Sequence, residues 1–294
     1  MENSFSHLIA VPGSRPKARE LARHTAPVFD VTRLDEAQRL RYCGGWYLRD
    51  GTATVADELE KILVQQEIAA IRLQTPEPIA PVNPERVISA DLENETLFLE
   101  TSRELVDVKI ASLRAIDLGV VGESQSALNQ QQAEMHRWAE AMLTGLSYPE
   151  IRASLLGCGL RRPNPQVFLA VPERERLLRV ERGTRFPVLC QESGPQALDS
   201  LLLFIDRLLT AAAPGVALPE VTTFWHDAVI EPVLRHRIEE RDQRLSWLST
   251  WLQHSEQHRS AVVDKEETNS GDPAPEPDPE DDSSQMRPDS RQAD

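Results

Sequence analysis

The stretch Gly145-Leu-Ser-Tyr-Pro-Glu-Ile-Arg-Ala-Ser-Leu-Leu-Gly-Cys-Gly-Leu-Arg-Arg-Pro-Asn-Pro-Gln-Val-Phe-Leu-Ala-Val171 decides how this 294-residue chain is read. Gly145 stops a helix that runs from about Gln132 to Leu143. Ser147 caps a second helix, Pro149 fits its first turn, and Glu150 sits near its positive end. Ile151 and Leu155 are four apart and turn one face to a core. Gly157 and Gly159 permit a sharp turn. Asn164 caps a third helix opened by Pro165, with Val167 and Phe168 facing inward. Three short helices joined this way predict a mainly α fold.

Outward from that stretch the expected elements are mostly helical. Arg176 to Gln191, with Arg182-Gly183-Thr184 at its centre, predicts a small β-hairpin. Pro195 to Thr210 is helical, and a long helix follows from about Glu220 to His258, kinked or split at Pro232. Toward the N-terminus, Thr101-Ser-Arg-Glu104 fits a capping box that opens a helix carrying Leu105, Val106, Ile110, Leu113 and Ile116, with Gly119 as its stop. Pro76, Pro78, Pro81 and Pro84 mark an extended connection. Before it, a helix from Leu34 to Tyr42, extendable to Leu48, and another from Thr54 to Leu73 form a helical hairpin about Asp50-Gly51. Residues 5–11 predict a short strand closed by Pro12-Gly13. The resulting organisation is an N-terminal helical module (1–74), a Pro-rich linker (75–86), a helical region with the three-helix stretch and the hairpin (87–192), a C-terminal helical region (193–263) and a disordered acidic tail (264–294).

Charge supports the last division. The net charge is −15, and residues 264–294 hold eleven Asp/Glu against three Lys/Arg. That tail lacks the apolar surface that would offset its ordering entropy. Arginine outnumbers lysine 28 to 4, a bias typical of GC-rich bacterial genomes. Cys43, Cys158 and Cys190 are far apart, form no CxxC pair, and read as thiols of a reducing, cytoplasmic compartment. The N-terminus has no apolar leader segment, and no run reaches the ~20 apolar residues of a membrane span, so no membrane insertion is expected. His254 and His258 are four apart, but the glutamate between them is misplaced for an HExxH site. Gly122-Glu-Ser-Gln-Ser126 lacks the second glycine of a nucleophile elbow. No catalytic residue, metal or cofactor is assigned, and an enzyme is not expected. Trp46, beside Gly44-Gly45, is read as a core anchor.

The pattern Gly145-Leu-Ser-x-x-Glu-Ile-x-x-x-Leu-x-Gly157 resembles the helix-turn-helix of bacterial DNA-binding proteins, over about residues 133–171. Arg152 departs from it, standing where the pattern has a small alanine, and Cys158 to Pro163 lengthens the turn. The resemblance implies duplex DNA as partner and transcription regulation as role. From Ala133 to Gln191 there are nine arginines and six acids, against a negative body. Arg152, Arg161, Arg162, Arg174, Arg176 and Arg182 are the candidate phosphate contacts, and Gln166 the candidate base reader, since glutamine pairs bidentately with adenine.

The second reading is a non-enzymatic adaptor or subunit of a larger complex. Leu234, Ile238, Arg241, Leu245, Leu248 and Leu252 form a heptad-like seam, and Trp247 and Trp251 add a stripe one turn apart. Trp247, Leu248 and Trp251 are the candidate contacts for a protein partner or a second copy. Glu231, Glu239, Glu240, Arg235, Arg237 and Arg244 read as the solvated face.

Overall fold

The structure, a computed structural model, describes residues 4–14, 16–124, 148–158, 160–172, 176–193, 197–231 and 234–269. Among them are ten strands, in a three-stranded and a seven-stranded sheet. The fold is therefore mixed α/β with a large sheet, and the mainly α expectation is corrected.

The chain opens with β1 (Phe5–Ala10), α1 (Ala18–Thr25), α2 (Arg33–Tyr42), β2 (Trp46–Gly51), α3 (Ala53–Gln65) and β3 (Ala70–Thr75). β1 lies between β2 and β3 and is antiparallel to both. The two sides of β1 enter different cores. Leu8 and Ala10 join Leu21, Leu40, Leu59 and Leu63 of the three helices, whereas Ile9 joins Trp46 in the larger core. The helical hairpin expected here is thus a β-α unit. Residues 46–51 are strand, not a continuation of α2, and α3 ends at Gln65, before Ile71 and Leu73 enter β3. Thr32 and Thr52 accept from the N–H of Asp35 and Val55 as N-caps of α2 and α3.

Beyond the prolines come β4 (Glu85–Glu93), β5 (Thr96–Thr101), β6 (Leu105–Lys109) and β7 (Ala115–Ser124). The hydroxyl of Thr101 does accept from the N–H of Arg103 and Glu104, as a capping residue would. It closes a β5–β6 hairpin instead of opening a helix. Residues 105–109 alternate exposed and buried, with Val106 and Val108 inward, which is the period of a strand. Gly119 is not a stop but lies within β7, where an added Cβ would come within 3.1 Å of the Phe168 ring.

The remaining elements are α4 (Pro149–Leu156), β8 (Leu160–Val171), β9 (Arg176–Glu181), α5 (Leu189–Ser193), α6 (Ala197–Ala211), α7 (Pro219–Asp227), β10 (Arg235–His236) and α8 (Ile238–Asn269). The large sheet has the order β10-β7-β8-β9-β4-β5-β6, with β4/β9 and β7/β10 parallel and the other pairs antiparallel. The hairpin expected over 176–191 supplies only β9, and its second arm becomes α5. The long helix expected from Glu220 to His258 is two helices, α7 and α8, separated by β10.

Residues to Gln253 form one compact unit, and a second begins at His254. Within the first, α8 binds the two sheets together. Trp46 donates its indole N–H to Gln243 O at 3.0 Å, and Trp247 donates its own to Ala10 O at 2.9 Å. Gly44 and Gly45 allow this approach. Both have positive φ, and a Cβ on Gly45 would lie 2.5 Å from the Trp247 ring. Trp46 is a core anchor, as expected. Of the second unit, the structure describes the end of α8 through Asn269, so the acidic tail expected over 264–294 lies mostly outside the described residues. Among the described residues no helix is long and apolar enough to cross a membrane.

Candidate functional site

The second helix of the quoted stretch exists: α4 has Pro149 in its first turn, Ile151 and Leu155 buried, and Gly157 at its C-cap. The helix expected over 132–143, with Gly145 and Ser147, lies outside the described residues. The third helix is β8, a twelve-residue strand between β7 and β9. Without a recognition helix over 164–171 the expected helix-turn-helix does not form there, and the DNA-binding and regulatory reading built on it is left without support. Val167, Phe168, Leu169, Ala170 and Val171 are all buried, so both faces of this strand are covered. A run that is apolar on every side carries no periodicity to tell strand from helix.

The candidate DNA contacts disperse. Gln166 is buried and donates to Glu181 Oε2 at 3.0 Å, so it reads no base. Arg152 pairs with Asp199. Arg176 lies 2.5 Å from Glu85 Oε2 and also pairs with Glu104. Arg162, with a φ of 52°, and Arg182 are exposed. Arg161 lies in β8, opposite Glu123, and Arg174 lies outside the described residues. Three arginines of the positive window, Arg152, Arg176 and Arg185, are thus paired with acids of other elements: Asp199 of α6, Glu85 of β4 with Glu104 of the β5–β6 turn, and Glu100 of β5.

The candidate docking residues of α8 are mostly spent on the core. Trp247 and Leu248 are fully buried, and Trp251 is half-buried, stacked on Trp247 at 6.3 Å. Arg244, read as solvated, is buried too. It donates from Nε and Nη2 to the two carboxylate oxygens of Asp117, at 2.9 and 3.0 Å, with Glu220 at 3.9 Å and the Trp247 ring beneath it at 4.2 Å. Burial alone would lower its pKa, but the Asp117 carboxylate outweighs this and raises it, so the guanidinium keeps its charge.

What the structure brings together instead is a cleft of about 520 Å³ among α4, α6, α7 and the loop after α6. α6 turns Leu201, Leu202, Phe204, Ile205 and Leu208 into the core, which leaves Asp206, Leu209 and Thr210 to line the cleft. The loop is fixed to the sheet: Ile116 N–H donates to Val216 O at 2.8 Å, and Leu218 N–H to Ile116 O at 3.0 Å. Tyr148 and Trp225 form one wall, with ring centroids 5.5 Å apart and planes tilted by 47°. Asp206 ties them together. Its Oδ1 accepts from Trp225 Nε1 at 3.1 Å, and the Tyr148 hydroxyl donates to the same carboxylate. Burial first, then the Asp206 charge, pushes the Tyr148 pKa up to about 12, with Arg207 acting the other way. Tyr148 also has a φ of 83°, in the left-handed region.

No family model, curated protein or solved structure matches this chain. The cleft is therefore judged on its own chemistry. Its volume suits a small organic group, and its walls combine apolar rings with a few fixed polar atoms. Among the described residues no three His, Cys, Asp or Glu side chains converge as a metal ion requires. Sequence reasoning missed this site. Tyr148 and Trp225 are 77 positions apart, and no local spacing links them. The one available signal was Tyr148-Pro149-Glu150, which places an aromatic and an acid at a helix start.

Proposed function

We propose that this protein is a non-enzymatic recognition subunit, which binds a partner by receiving one of its side chains in the cleft between α4, α6 and α7. The observation that carries this reading is the Tyr148–Asp206–Trp225 arrangement. One carboxylate fixes two aromatic rings beside a cavity of about 520 Å³, on helices anchored in the main core. Rings held in place before a ligand arrives lose little freedom on binding it, and that pre-organisation favours affinity. The partner-docking role expected of α8 passes to this cleft, because Trp247 and Leu248 are committed to the interior.

The test is ligand-observed NMR on the full chain with a library of fragments, neutral and charged. Hits are expected to broaden with the protein and to be displaced together when the cleft is filled by Thr210→Trp, a change at an exposed position of α6. Hits that persist in a folded Thr210→Trp protein, or no hits at all, would refute the reading.

A further inference from the structure

We infer that the group received by the cleft is a cation, a guanidinium or primary ammonium on a short apolar stem, as carried by an arginine or lysine side chain. The inference rests on the recognition reading above and deepens it. Three independent features of the cleft carry it.

The first is charge. Glu150 and Asp206 line the cleft, and among the described lining residues His226 is the one basic side chain. Asp206 is held in place by the two rings, so its negative charge faces a fixed position. Arg207 acts on the Tyr148 hydroxyl but does not line the cavity.

The second is the polarity of the helices. α6 ends at Ala211 and α7 at Asp227. The residues at and around both ends, Leu209 to Ala213 with the exception of Ala211, and Trp225, His226 and Ala228, line the cleft. Two helix C-termini, each with its partial negative charge, therefore meet at one cavity. α4 presents its N-terminus to the same space, but Glu150 in its first turn sets a full negative charge against that end.

The third is the rings. Tyr148 and Trp225 offer electron-rich faces, and indole is the strongest of the aromatic side chains in attracting a cation. An anion would meet repulsion from all three features. A neutral group would gain only the contact with the rings.

The experiment measures binding of n-butylguanidinium, n-butylammonium, neutral n-butylurea and anionic valerate to the full chain by NMR line broadening and calorimetry. The two cations are expected to bind at least tenfold more tightly than butylurea, and valerate not to bind. Glu150→Gln, at an exposed position, and Asp206→Asn, which keeps an acceptor for Trp225, should each weaken the cations several-fold more than they weaken butylurea. A short peptide centred on arginine, compared with its citrulline analogue and with free butylguanidinium, separates the sources. A peptide preferred over the free cation assigns the site to a partner's side chain, and equal affinity assigns it to a free organic cation. Butylurea binding as tightly as the cations, with both lost in Thr210→Trp, would overturn the charge assignment and leave the cleft as a binding site. Cation binding that survives Thr210→Trp would overturn the site itself.

Discussion

His7 is fully buried in β1, and its two ring nitrogens are both engaged. Nδ1 accepts from the N–H of Asp50 at 3.1 Å. Nε2 lies 2.9 Å from Thr75 Oγ1, which donates its own proton to Glu77 O, so Nε2 carries the hydrogen. The ring is neutral in this arrangement, and a proton on Nδ1 would face a donor. Burial lowers the His7 pKa from 6.5, with the Asp50 charge opposing this and Arg49 adding to it. The unfolded chain therefore takes up the proton first as pH falls. The stability contribution is whole above pH 6.5 and is lost as pH falls through the lower folded value. Denaturant melts at pH 7.5 and 5.0 should show wild type losing more stability than His7→Gln, and equal losses would contradict this. The Arg244–Asp117 pair makes a second prediction. Asp117→Asn strands a buried guanidinium and should cost about 3–5 kcal/mol, whereas Arg244→Met with Asp117→Leu should recover much of that, as read in urea unfolding. A third concerns Gly45, whose φ is +113° and whose Cβ would press on the Trp247 ring. Gly45→Ala should destabilise by on the order of 3 kcal/mol, and a neutral outcome would show that the loop can move away.

At the scale of elements, the β5–β6 hairpin and α8 show how one local signal serves two structures. A hydroxyl accepting from N–H groups two and three residues ahead is common to a helix cap and to a β turn. The Thr101 pattern specifies the hydrogen bonds of the hydroxyl and leaves open whether a helix or a hairpin follows. What separates the two is the strict alternation of residues 105–109, visible in the sequence as Leu-Val-Asp-Val-Lys. For β8, the prolines at 163 and 165 argued against a central strand. The structure accommodates Pro163 where the β7/β8 register shifts, between Val121 and Glu123, while Pro165 stands opposite Val120 in regular register. In α8, the burial of Trp247 sets an expectation opposite to that of a docking face. Trp247→Ala should cost about 3–5 kcal/mol in global stability, while Trp251→Ala, half-exposed, should cost much less. The comparison is read by thermal unfolding. Comparable losses at the two positions would place Trp251 in the core as well.

On the scale of the whole molecule, the two sheets depend on a helix that follows both in the chain. Trp46 and Ala10 of the three-stranded sheet are hydrogen-bonded to α8, and Arg114 at the start of β7 donates to Leu252 O at 2.8 Å. The N-terminal β-α unit is therefore expected not to fold cooperatively without residues 238–253. A protein ending at residue 237 should show no sharp thermal transition, and amide hydrogens of β1 and β2 should exchange rapidly. Retained protection in β1 would show that the first seventy-five residues are autonomous.

The sequence by itself determined the local features: the first strand, the extent of α4 and α6, the Pro-rich connection between the sheets, and Trp46 as an anchor. Each depends on residues within a turn or two of one another. Only the tertiary structure decided that 160–171 is a strand, that Arg152 and Arg176 are answered by acids from other elements, and that Tyr148, Asp206 and Trp225 share one cleft. The physical reason is the same in each case. A segment buried on all sides shows no periodicity, and both charge pairing and cavity formation depend on which distant elements pack beside it.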